Sequence, residues 1–197
     1  MKVKSLFASV LVVLLVASLS FAADTYKTDP AHSAVTFAVK HMMLATVKGK
    51  FDEFEGTIVY DEEDITKSSV TFTIKAASIN TGNESRDKDL RGANFFEVEK
   101  YPEITFKSKQ IVKEGDGYVA IGDLTMHGVT KEVKIPFTFL GKVKDPWGNT
   151  RIGVEGSLTL NRQDYGISYS RTLDNGGLVV GNEVKVEFSI EAIKQAT

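Results

Sequence analysis

Apolar side chains recur at every second position through nearly all of the chain after residue 30, and this period constrains the fold more than any other feature. A period of two places successive side chains on opposite faces of an extended strand, whereas a helix needs 3.6. In SAVTFAVKH, Val35, Phe37, Val39 and His41 share one face, and Ala34, Thr36, Ala38 and Lys40 the other. VTFTIKA aligns Val70, Phe72 and Ile74, ITFKS pairs Ile104 with Phe106, and VKIPFTFLG aligns Val133, Ile135, Phe137 and Phe139. RIGVEGSLTL contributes Ile152, Val154, Leu158 and Leu160, and VKVEFSIEA contributes Val184, Val186, Phe188 and Ile190. The spacing predicts about eight strands, near 33–41, 46–60, 68–76, 103–112, 117–126, 129–143, 150–160 and 179–193. One dry and one wet face per strand favours an antiparallel sheet. A sheet of this size closes or folds into two layers, which removes its edges.

Segment 46–60 changes phase. Val47, Gly49 and Phe51 are odd-numbered, whereas Phe54, Gly56, Ile58 and Tyr60 are even, so a bulge or bend is expected near Asp52–Glu53. EGDG (114–117) and HG (127–128) read as tight connections, and DPWG (145–148) suits a type I turn; DNGG (174–177) sits in a longer loop. Residues 80–102 break the strand pattern, and RDKDLRGANFFEVEKYP crowds charges around Leu90, Phe95, Phe96 and Val98. Asn83 or Ser85 can cap a short helix through about Arg91, with Gly92 at its C′ position. Asp87 and Arg91 have the i,i+4 spacing of a helix-surface pair. A connection this long in a compact β-domain is usually a lid or binding loop. The expectation is a helical lid near 83–92 with its charges outward and Leu90, Phe95 and Phe96 turned in over a barrel end. Two adjacent Phe cannot both face inward from one strand, so an irregular turn is expected there.

The N-terminus is of a different kind. MKVKSLFASVLVVLLVASLSFAAD has two lysines, an apolar run from Leu6 to Ala17, and small residues at Ser20 and Ala22, the pattern of a cleaved secretory signal. The run is short for a membrane span. Residues 1–22 are therefore read as a signal peptide and 23–197 as one domain, long enough to bury a core. The chain has no cysteine, so neither a disulfide nor a lipidated cysteine is available. Secretion without Cys fits a bacterial periplasm. Removing Lys2 and Lys4 leaves 22 basic against 26 acidic residues, and no basic tract marks a nucleic-acid surface.

Catalytic signals are thin. His32 and His41 lie near opposite ends of the first strand and His127 precedes a turn Gly, without the HxH, HExxH or Cys spacing of a zinc site. No Ser sits in a GxSxG context, and the carboxylates are scattered. Asp87 and Asp89 read as a solvated, salt-bridged helix face rather than an acid–base pair. NRQDYGISYSR (161–171) admits two readings. Its arginines and tyrosines could hold an anionic head group, or Arg162 could pin the loop by bridging Asp164 or a barrel-end carbonyl. The aromatic supply says more: twelve phenylalanines fall largely on inward phases. They would fill an ordinary close-packed sandwich core equally well, whereas an eight-stranded barrel can leave room inside for a small ligand. Ten methylenes buried there would contribute about 8 kcal/mol before ordering costs, roughly the micromolar range.

The ordered motifs resemble those of the YceI-like lipid- and polyisoprenoid-binding proteins over essentially the whole mature chain. Asp29, His32, Ser33, Phe37 and His41 fit D-x-x-H-S…F…H, and Gly49, Phe51, Phe54 and Gly56 fit G-x-F-x-x-F-x-G. Arg86, Asp87, Leu90, Arg91, Phe95, Phe96, Tyr101, Pro102 and Phe106 fit R-D-x-x-L-R…F-F…Y-P…F. Gly122 through Lys131 fit G-D-L-T-x-H-G-V-T-K, and Arg151, Gly153, Asn161, Arg162, Asp164, Tyr165 and Gly166 fit the last block. One departure is Asp89, where the family often has His before the Leu of its R-D motif. The resemblance implies a lipocalin-like barrel with an elongated apolar tunnel, often dimeric, that binds a long-chain lipid or isoprenoid without turning it over and without a cofactor. The chain-lining residues are then expected to be Phe37, Val39, Phe72, Ile74, Leu90, Phe95, Phe96, Phe106, Leu124, Ile135, Phe137, Phe139, Leu158 and Phe188. His41, Arg86, Arg91, Arg162 and Tyr165 are expected at the head group. The alternatives are a secreted enzyme acting on a small hydrophobic substrate at the barrel mouth, and a stress-related partner-binding module with no ligand of its own.

Overall fold

The computed structural model describes residues 23–174 and 176–196, so the expected signal peptide lies outside the described residues. Eleven strands form one antiparallel sheet: β1 (Asp24–Thr28), β2 (Ala34–His41), β3 (Ala45–Phe51), β4 (Phe54–Tyr60), β5 (Ser69–Lys75), β6 (Ile79–Asn80), β7 (Glu103–Glu114), β8 (Gly117–Met126), β9 (Val129–Lys144), β10 (Thr150–Asn161) and β11 (Val180–Lys194). The order β1-β4-β5-β7-β8-β9-β10-β11 closes because β11 also pairs with β1, which makes an eight-stranded antiparallel barrel. From β11 the sheet continues through β2, β3 and β6. The alternation left a closed barrel and a two-layered sheet open, the family resemblance implied the barrel, and two short strands, β1 and β6, went unseen because they carry too few residues to show a period.

Three neighbouring staves break at one level. β1 and β2 are separated by a tight helical turn at Pro30–His32, β3 and β4 by Asp52–Glu53, and β5 and β6 by a similar turn at Ala76–Ser78. Asp52 N donates to Ser78 O at 3.1 Å and Lys75 N to Glu53 O at 3.0 Å, locking two of the bends together. Below the bend β1 pairs with β11 and β4; above it β2 pairs with β11 and β3. This corner is the phase change of segment 46–60.

The single α-helix among the described residues, α1 (Glu84–Arg91), lies at what we call the upper end, which also carries the His127–Gly128 turn. The lower end carries the β7–β8 and β9–β10 turns. Asn83 caps α1, its side chain accepting from Arg86 N at 3.0 Å. Gly92 follows the helix at φ −77°, so the expected left-handed glycine does not form, and the positive φ falls instead on Glu97 (46°). Phe95 N donates to Gly92 O at 3.1 Å and Phe96 N to Leu90 O at 3.0 Å. These crossed turns replace a strand and allow both rings to face the barrel.

Candidate functional site: a cavity along the barrel

Inside the barrel lies a cavity of about 280 Å³ whose facing atoms are carbon. Its wall runs from Tyr60, Ile65, Ser68 and Ser69 at the lower end to Phe95, Phe96, Ile167 and Val180 at the upper. All fourteen residues expected along an apolar chain line it: Phe37, Val39, Phe72, Ile74, Leu90, Phe95, Phe96, Phe106, Leu124, Ile135, Phe137, Phe139, Leu158 and Phe188. Period-two alternation brought the strand residues together, and the irregular 92–96 turn added the two adjacent rings. The wall also contains Ile65, Ile79 and Ile167, which sequence reasoning missed. Ile65 and Ile167 lie outside strands and Ile79 in a two-residue strand, so no alternation marks them.

Glycines keep the hollow open. Phe37 faces Gly49, Phe72 faces Gly56 and Phe188 faces Gly156 across neighbouring strands. A Cβ on any of these glycines would collide with the ring opposite it. Each ring therefore folds down on bare backbone instead of crossing the lumen, a use of strand glycine for close approach.

The polar residues expected at a head group are placed differently. Arg162 lines the cavity and is 5% exposed. Its Nε donates to Gly181 O at 2.9 Å, its Nη1 to Ile167 O at 2.6 Å, and its Nη2 to Val180 O at 3.2 Å and Asn182 Oδ1 at 3.3 Å. It does not bridge Asp164, which pairs with Lys131 at 3.7 Å. No carboxylate within ion-pair distance of Arg162 occurs among the described residues, and burial pushes its pKa down. Arg162 thus follows the barrel-end carbonyl reading of its loop.

Arg86, Arg91, His41 and Tyr165 are not on the cavity wall. Arg91 donates through Nε to Ala77 O at 2.6 Å and through Nη2 to Ile79 O at 2.7 Å, which satisfies an edge of the short strand that meets only β3. Arg86 donates to Thr81 Oγ1 at 2.7 Å and Thr81 O at 3.1 Å. Asp87 is buried rather than solvated and accepts from Thr81 N at 2.9 Å and Thr81 Oγ1 at 2.6 Å, so it does not pair with Arg91. The helix is pinned to backbone, because carbonyls left without a ladder partner attract charged donors strongly. His41 pairs in register with Val180 and Ala45. Tyr165 is 2% exposed, and burial raises its pKa.

The other motif residues also act as joints. His127 adopts φ +51°, its Nδ1 lies 3.1 Å from Tyr165 O, and its ring packs 4.5 Å from that of Tyr101. Asp29, His32 and Glu191 bring potential metal ligands within 4.8 Å of one another. Arg151, however, reaches Asp29 Oδ2 at 2.7 Å, Glu191 Oε1 at 2.5 Å and Asp145 Oδ2 at 2.7 Å, so a guanidinium already supplies the cation among these carboxylates. Hydrogen bonds from His32 and then Arg151 hold the Asp29 carboxyl down to about 2. Burial works against ionisation of Asp145, but Arg151 and Asn149 outweigh it and hold that pKa far below the usual range.

Known proteins share this architecture. A UPF0312 protein of Staphylococcus aureus strain N315 is 38% identical over 164 residues, which is 83% of this chain and 94% of the relative. The crystal structure of Burkholderia cenocepacia BcnA superposes with a TM-score of 0.73 at 25% identity, over 86% of this chain and 99% of that one. A polyisoprenoid-binding domain from Saccharophagus degradans, implicated in plant cell wall breakdown, has the same fold at a TM-score of 0.60 and 18% identity, over 89% of this chain and all of the other (100%). The family model of the YceI-like domain matches residues 26–192, and the chain belongs to that family.

Proposed function

We propose that this protein is secreted to the periplasm by cleavage near Ala22 and there carries or stores a long apolar molecule, an isoprenoid or acyl chain, within its barrel. The observation that carries the reading is the wall of the cavity, whose facing atoms are carbon along its length. Such a wall repays hydrocarbon and penalises any unpaired charge. The shared fold of a polyisoprenoid-binding domain supports the choice of ligand class. The placement of the polar motif residues, whose hydrogen-bonding groups pin joints of the barrel, supports binding over turnover. Organic extraction and mass spectrometry of the native protein tests this: a stoichiometric long-chain lipid is expected, and a barrel purified without one that also fails to take up a fluorescent polyene sinks it. Phe188→Asp should lower uptake by at least about tenfold, because an unpaired buried charge is costly. Intact-mass measurement should show a mature chain beginning near Ala23.

A further inference from the structure

We propose that the β2–β3 hairpin tip docks the protein on an anionic lipid surface beside the upper end of the cavity. At this tip Met42, Met43 and Leu44 are 39%, 60% and 88% exposed. Both methionines hold positive φ (51° and 61°), a region that unbranched side chains other than Asn and Asp occupy reluctantly. A turn needing only this backbone would be better served by Asn-Gly, which is also the soluble choice. Three consecutive large apolar residues therefore stand in water at a strained site that packing inside the molecule does not demand.

Charge and position identify the occupant. From Lys40 to Lys50 the hairpin carries Lys40, Lys48 and Lys50 with His41 and no acidic residue, in a chain whose net charge is negative. Lys50 is paired with Asp52 at 2.7 Å, and Glu187 lies near Lys48 without pairing with it, so Lys40 and Lys48 are the hairpin lysines outside any ion pair among the described residues. The adjoining segment adds Arg171 and Lys185 and, of opposite sign, Asp174 and Glu183; Lys185 is itself paired with Glu187 at 2.7 Å. Apolar residues that enter the headgroup boundary, ringed by lysines, suit a bilayer with anionic lipid. The tip also adjoins the cavity: Val39 and Val180 both line it, and Val180 pairs in register with His41 at the root of the turn. A bilayer engaged here would lie next to the cavity end lined by Arg162 and Ile167.

The inference stands apart from what the cavity holds, and the two fail separately. Vesicle flotation of the mature protein would use phosphatidylethanolamine with about a third phosphatidylglycerol, against pure phosphatidylcholine, with polyene uptake measured in parallel. Binding to the anionic vesicles is expected, with loss of about tenfold in Met43→Asn/Leu44→Asp and roughly fivefold for each of Lys40→Gln and Lys48→Gln at low salt. Trp147→Ser, at the 80%-exposed tip of the opposite end, should bind vesicles as the parent does. Unchanged flotation in the tip double variant overturns the proposal, as does absence of vesicle binding by the parent. A dimer that dissociates in the tip variant while flotation is unaffected would reassign the tip to contact between copies. Loss of flotation with polyene uptake intact supports docking, while loss of uptake alone would fault only the carrier reading.

Discussion

The two ends of the barrel each rest on an arginine, half-buried Arg151 below and buried Arg162 above, and the ends treat it in opposite ways. At the lower end Arg151 meets three carboxylates, Asp29, Asp145 and Glu191, on the outer side of the wall. At the upper end Arg162 meets four neutral acceptors and, among the described residues, no carboxylate. The lower cluster ties together places distant in sequence: the break between β1 and β2, the β9–β10 turn and β11. Opposite charges do this well because their geometry is held by three separate elements. Arg162 ties a loop back to the start of β11, where free carbonyls are the only partners on offer. Its positive charge remains unneutralised beneath an apolar wall. The upper end is also assembled from two irregular arms that meet where Phe95 packs 5.1 Å from Tyr169. The lower end is closed largely by side chains of the staves, with Tyr60 stacked 5.2 Å from Phe139 and edge-on 5.9 Å from Tyr26, and by Ile65 from the short turn between β4 and β5. An end made mostly of arms can open without unzipping a strand, whereas Tyr26, Tyr60 and Phe139 move only with their strands.

This contrast can be broken first at Arg162. Arg162→Leu should destabilise by about 3 kcal/mol, since buried carbonyls lose charged donors, and should do so nearly independently of pH between 5 and 9. Chemical denaturation at several pH values measures it, and a strongly pH-dependent loss would show a carboxylate partner after all.

Arg151→Gln should cost about 2 kcal/mol near neutrality, because three carboxylates would be left facing one another. Its pH signature has the opposite character. Asp29 is depressed from 3.8 to about 2, so the folded state binds fewer protons than the unfolded one in that window. Stability from this group is therefore complete above about pH 4 and lost as pH falls toward 2. In Arg151→Gln the acid loss should shrink while stability near pH 7 falls, and unfolding curves taken from pH 2 to 7 read both.

Phe95→Ala and Phe96→Ala sharpen the difference between arms and staves. Release of bound polyene should accelerate several-fold while the barrel melts cooperatively, with a loss near 2–3 kcal/mol set by truncation of a buried ring. Unfolding with unchanged release would make the island a structural plug only.

The smallest expected effect is at the lower end. Tyr26 is fully buried, and its hydroxyl has no hydrogen-bond partner among the described residues. Tyr26→Phe should be neutral or stabilise by up to about 1 kcal/mol, because an unsatisfied buried polar group is removed. Thermal melts resolve that difference.

Alternation by itself determined the strands and most of the inner wall, since a period of two leaves each strand residue one of two faces; that the sheet closes into a barrel instead of folding into two layers was decided by the pairing of β11 with β1. The paired glycines at 49, 56 and 156 were visible in the sequence, but that each lies opposite a Phe depended on strand register. Local rules also narrowed the helix cap to Asn83 or Ser85, of which Asn83 caps, and located the bend at Asp52–Glu53, because both are decided within a few residues. What the polar residues do was settled only by tertiary structure. Arg86, Asp87 and Arg91 sit at helix-surface spacing, yet their partners are the backbone of residues 77–81 and the Thr81 hydroxyl, reached because β6 runs out of neighbours. Arg151 meets Asp29 across 122 positions and Glu191 across 40. A charged side chain takes whatever donor or acceptor the closed barrel leaves unpaired nearby. That remainder depends on the whole sheet, and no local pattern encodes it.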